Sequence, residues 1–77
     1  EIWEQILQNV LDQRSLTELA INQWLRPVKL LSISETSLVL GAPNASSKEW
    51  IEKLYIPFLE NAVMEIEQRK LEPQTRS

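Results

Sequence analysis

The sequence predicts a small α+β domain in the order helix, helix, strand, strand, helix. Three observations predict it. Apolar residues recur at helical spacing in three segments, they alternate in the segment between, and prolines and cap-forming side chains punctuate the joins. With 77 residues, one domain is expected. A chain this short buries only about 60 % of the surface its unfolded form exposes. So thin a core argues against a deep catalytic cleft and places function at the surface.

The first helix is expected from Glu1 to about Gln13. Ile2, Ile6 and Val10 are spaced by four, as are Trp3, Leu7 and Leu11, with Glu4, Gln5, Gln8, Asn9 and Asp12 opposite. A break follows near Arg14–Thr17, where two caps compete. Ser15 with Glu18 makes a capping box, whereas Thr17 would set Leu16 against Ile21 as a hydrophobic staple. Either start gives a helix over Glu18–Leu25. Pro27 forbids its continuation and biases Arg26 towards extended backbone.

Val28–Ser34 alternates, with Leu31 and Ile33 on one face and Val28 and Leu30 on the other. Ser37–Ala42 places Leu38 and Leu40 on one face and Val39 on the other. Glu35-Thr36 lies between, so an antiparallel hairpin is the simplest reading. Pro43-Asn44 ends the second strand, and Ser46 with Glu49 forms a capping box. A long helical rhythm follows through Trp50, Ile51, Leu54, Tyr55, Phe58, Leu59, Ala62, Val63 and Ile66. Pro57 interrupts it, which predicts either a kink or a second helix with Pro57 in its first turn. Residues 1–68 are expected to form the domain. The polar stretch 69–77, with Pro73, reads as a frayed tail or the start of a linker.

Composition excludes several functions. The chain has no cysteine and no histidine, which removes disulfides, Cys/His zinc sites and His-dependent nucleophile pairs. Gly41 is the only glycine, so no phosphate loop can form. The acids Glu49, Glu60, Glu65 and Glu67 read as solvated helix surface. No enzyme activity and no cofactor are expected. No segment approaches the length of a membrane span, no signal peptide is visible, and the composition fits a cytosolic protein. The first residue is not methionine, so the chain reads as a fragment of a longer protein. The net charge of −3 argues against tight autonomous binding to duplex DNA. Only weak local contact through Arg26, Lys29 and Lys48 is consistent with it.

Trp24 and Trp50 fall in periodic apolar stripes and are expected in the core. Trp3, near the chain start, either caps the core or forms an exposed apolar patch. Ala42–Ser46 reads as a turn and cap, with a partner contact through Asn44 as the functional alternative.

Taken together, several of these residues resemble a known family. Trp3, then Trp24-Leu25-Arg26-Pro27, then Leu38-Val39-Leu40, Ala42-Pro43-Asn44 and Trp50-Ile51-Glu52-Lys53 with Tyr55 succeed one another as in the N-terminal domain of the bacterial replication initiator DnaA. The resemblance covers about residues 2–66. It implies a KH-like α+β domain, with a weak third strand as an option after the last helix. It also implies a protein-interaction role: self-association, recruitment of the replicative helicase, reception of initiation regulators and weak contact with single-stranded DNA. By resemblance, Trp3 matches a tryptophan linked to self-association and Asn44 an asparagine of a partner-contact surface; the neighbours Ile6, Leu7 and Val10 are expected to join Trp3, and Ala45, Ser46 and Ala20 to join Asn44 in partner binding. Three positions depart from the family pattern. Ile21 replaces a usual aromatic, Ala20 a helicase-linked acid and Ser46 a loop phenylalanine.

Overall fold

The computed structural model describes all 77 residues. Helix α1 spans Ile2–Asp12. Helix α2 spans Glu18–Ala20 and runs directly into a wide π-helical turn, Ile21–Leu25, closed by the Arg26 N–H donating to the Ile21 carbonyl at 2.9 Å. Strands β1 (Lys29–Ile33) and β2 (Ser37–Gly41) follow. Helix α3 spans Ala45–Trp50 and passes through a second π turn, Ile51–Tyr55, into α4, Ile56–Glu67. Strand β3, Glu72–Arg76, closes the fold. The domain is therefore α+β, in the expected order.

The competing caps are resolved in favour of Thr17, whose hydroxyl accepts from the Ala20 N–H at 3.1 Å. At α3 the expected cap is corrected. Asn44, not Ser46, is the N-cap, and its side-chain oxygen accepts from the Ser47 N–H at 2.8 Å. An asparagine already in extended backbone just before the helix satisfies that orphan donor, so Ser46 moves into the first turn. Pro57 lies in the first turn of α4, where its missing N–H costs no helical bond.

The sheet order is β1-β2-β3, with β1 antiparallel and β3 parallel to β2. A bulge at Leu31 breaks the alternation of β1, so the register passes from Leu30 opposite Leu40 to Ser32 opposite Val39 and Ile33 opposite Leu38. Ile33 thus shares the row of Leu38, not the face of Leu31. The tail is also corrected. Residues expected to fray form β3, anchored by fully buried Leu71 and by the Ala42 N–H donating to the Arg76 carbonyl. Pro73 is tolerated because β3 is an edge strand, free of bonding on its outer side.

One face of the sheet packs on the helices. Leu38 and Leu40 of β2 join Ile6, Leu7 and Val10 of α1, Ile21 and Leu25 of the first π turn, and Ile51, Leu59 and Val63 of the long helical run. The opposite face carries no helix.

Candidate functional site

The second helical run carries two columns of apolar residues, each spaced by about one turn. Ile51, Tyr55, Leu59 and Val63 form the inner column and are buried. Trp50, Leu54 and Phe58 form the outer column; Trp50 and Leu54 are exposed and Phe58 is half-buried. A core this thin holds one column fully. The other becomes surface.

That surface is organised around an aromatic pair. The rings of Trp24 and Trp50 stack with centroids 5.4 Å apart and planes inclined by 30°. Trp24 lies inside the first π turn, and Trp50 immediately precedes the second. π turns inside helices recur at functional positions because they re-aim side chains. Trp24 is half-buried with one side against the core, whereas Trp50 is 43 % exposed. The expectation that both tryptophans are core residues is therefore corrected. They share one stack, whose inner member packs half-buried against the core and whose outer member is exposed.

Ala20 lies one turn before Trp24, and Ser46 one turn before Trp50 on the same helix face. Ala20 is half-buried; Asn44, Ala45 and Ser46 are exposed. The expected partner-binding residues thus flank the aromatic stack. Both flanking side chains are small, which leaves the stack uncovered at either end. Sequence reading missed Leu54 and the exposed role of Trp50. The signal was present in the outer column, one stripe more than a domain of this size can bury.

The residues assigned to self-association are placed differently. Trp3 is 6 % exposed, and Ile6, Leu7 and Val10 are more deeply buried. The indole N–H of Trp3 donates to the Val28 carbonyl at 3.1 Å. The first of the two readings of Trp3 holds, and its ring caps the core. The outward face of α1 presents Glu4, Gln5 and Gln8 instead.

Two of the three basic candidates are held by carboxylates. Arg26 Nη1 donates to both Glu4 carboxylate oxygens, at 2.8 and 3.0 Å. Lys48 Nζ donates to Glu52 at 3.0 Å, one helical turn on. The Lys48 ammonium holds the Glu52 carboxyl below its ordinary range. Partial desolvation opposes that shift, and the neighbouring Thr75 hydroxyl adds to it. Thr75 Oγ1 itself is buried without a partner in full hydrogen-bond geometry. Lys29 stands apart, on β1. No group of histidine, cysteine or acidic residues is arranged to hold a metal, and no helix is long and apolar enough to cross a membrane.

Fold and surface together define a small helix-rich α+β domain whose most distinctive exposed feature is aromatic. The family model of the DnaA N-terminal domain matches residues 1–65, and the chain belongs to that family. Among curated proteins it is similar to the chromosomal replication initiator protein DnaA of Deinococcus deserti, with 36 % identity over 63 residues, 82 % of this chain and 13 % of that protein. The initiator of Deinococcus radiodurans is also 36 % identical, over 77 % of this chain and 12 % of its own length. That of Geotalea uraniireducens is 25 % identical over 82 % of this chain and 14 % of its own length. The chain thus spans about an eighth of the length of these relatives.

Proposed function

We propose that this domain is the protein-docking module of a DnaA-type replication initiator, and that its principal docking face is the Trp24–Trp50 stack. The observation that carries this reading is a tryptophan left 43 % exposed on a rigid helix, beside a second aromatic ring. Large aromatic anchors with small neighbours are the side chains that dominate contact energies in protein interfaces. Asn44, Ala45, Ser46 and Ala20 form the rim. The partners that fit the role are the replicative helicase or a regulator of initiation. Ala20 and Ser46 bring neither charge nor a large apolar group to the contact, so the two tryptophans carry it.

Self-association belongs to the same reading. The buried Trp3, Ile6, Leu7 and Val10 fix α1 in place, and contact between copies falls to the outward Glu4, Gln5 and Gln8.

Surface plasmon resonance with the cognate helicase tests the docking face. Trp50→Ser, at an exposed position, should fold normally and weaken binding at least tenfold, a loss on the scale of an interface hot spot. Unchanged affinity would overturn the assignment. Sedimentation of the wild type and of Gln5→Arg/Gln8→Arg tests self-association. A wild type that stays monomeric at high concentration removes that part of the reading.

A further inference from the structure

The uncovered face of the sheet holds a second feature, remote in kind from the aromatic stack. Lys29 pairs with Gly41 across β1 and β2, and Gly41 pairs with Arg76 across β2 and β3. One row of the sheet therefore reads lysine, glycine, arginine. Val28 and Thr75, the chain neighbours of the two cations, are buried on the helix-packed side. Alternation along the strands then turns Lys29 and Arg76 to the open side. Both are exposed, and neither forms an ion pair with any carboxylate of the chain.

Between them lies a shallow cleft of about 460 Å³, walled by Pro27, Leu31, Ala42, Pro43 and the polar Ser77 and floored by Gly41. The glycine is what keeps it open. A Cβ at position 41 would meet the Leu31 side chain at 3.1–3.2 Å. The only glycine of the chain thus sits where two cations and an apolar wall converge. Two strand spacings separate the cation-bearing backbones by about 10 Å, a gap that same-face positions i and i+4 of an extended peptide, about 13 Å apart, match once the long cationic side chains lean outward.

We propose that this row is a docking cleft for an acidic peptide segment of a partner protein, with two carboxylates four residues apart on one face of an extended chain and an apolar side chain midway between them on the same face. Charge complementarity supplies the first argument. Two cations without an ion pair, brought to one sheet row on a chain of net charge −3, make a local positive site that an acidic ligand would recognise. The lining supplies the second. A single-stranded nucleic acid would want aromatic platforms and a longer basic track, and the cleft has no aromatic residue. The site goes beyond the docking role of the Trp24–Trp50 stack and stands or falls separately from it.

The test is an NMR titration of the 77-residue chain with the capped peptide Ser-Asp-Ala-Leu-Ala-Glu-Ser, its Asn/Gln counterpart, and a thymidine hexanucleotide. As the only glycine, Gly41 gives an amide signal that reports this cleft directly, while the Trp24 and Trp50 indoles report the other face. The acidic peptide should shift Gly41 and Leu31 and leave the indoles in place. Lys29→Glu and Arg76→Glu should each weaken binding about fivefold or more, the scale of one charged contact at a surface, with the indole spectrum unchanged. Gly41→Ala should weaken it with both cations still present. No shift at Gly41 up to millimolar peptide would overturn the proposal. So would equal binding of the neutral peptide, or tighter binding of the hexanucleotide at the same signals.

Discussion

The indole N–H of Trp3 reaches the Val28 carbonyl across 25 positions of chain and ties the first helix to the start of the sheet. This bond is buried, and it satisfies a carbonyl just before β1. Trp3→Phe would keep most of the apolar contact and leave that carbonyl unpaired, at a cost of about 1–3 kcal/mol. Trp3→Ala would also open a cavity and cost about 3–5 kcal/mol. Urea denaturation would show both losses. Equal stability of wild type and Trp3→Phe would mean the bond contributes nothing.

Asn44 and Ser46 make opposite predictions as caps. Asn44→Ala removes the acceptor of the Ser47 N–H and should cost about 0.5–2 kcal/mol. Ser46→Ala, inside the first turn, should change thermal stability little. The reverse ranking would restore Ser46 as the cap.

The last strand rests on few buried side chains, which makes it sensitive to single changes. Leu71→Ala should destabilise by about 2–5 kcal/mol, because Leu71 is fully buried just ahead of β3. Thr75→Val contrasts with it. It replaces a buried hydroxyl that has no partner in full hydrogen-bond geometry, and only a weak interaction with Glu52, with a methyl group of similar volume, and should be close to neutral. A clear loss of stability in Thr75→Val would show that the hydroxyl is satisfied in solution.

Arg14 and Gln68 end α1 and α4 with φ of 56°, the left-handed conformation that glycine adopts without strain. Gln68→Gly should therefore gain up to about 1 kcal/mol in chemical denaturation. A destabilised Gln68→Gly would show that the glutamine side chain contributes more than its backbone costs.

Glu52 carries a pH dependence whose sign is fixed by Lys48. Its folded pKa is lowered, so its contribution is present above the unfolded value. That contribution fades as pH falls through the folded value. Carboxyl-detected NMR titration should place Glu52 below the ordinary glutamate range. Lys48→Met should move it back up by removing the hydrogen bond and the charge together. An unmoved titration in Lys48→Met would break the assignment.

The sequence made the helices and hairpin legible because their periods and breakers are local. The apolar spacing of Ile2–Leu11 and the stop at Pro27 needed no tertiary information. Three features were hidden for physical reasons. Residues 72–76 become a strand only because β2 offers a free edge, a partner 35 positions away in the Ser37–Glu72 pair. The bulge at Leu31 follows from pairing, not from composition. The exposure of Trp50 depends on how many stripes the core can hold. Of the candidate contact residues, Asn44 and Ser46 were readable from the strand-to-helix join. The Lys29–Gly41–Arg76 row was not, because the optional third strand had no position or register that put Arg76 beside Gly41.

Parallel pairing of β2 with β3 also sets an order of events during synthesis. The middle strand is made early, between residues 37 and 41, but one of its two hydrogen-bonding edges has no partner until the ribosome has released residue 76. Over the intervening 30 residues the nascent chain carries an open edge of alternating leucine and valine, the kind of template on which neighbouring chains aggregate. Shielding that edge falls to whatever first meets the polypeptide as it emerges.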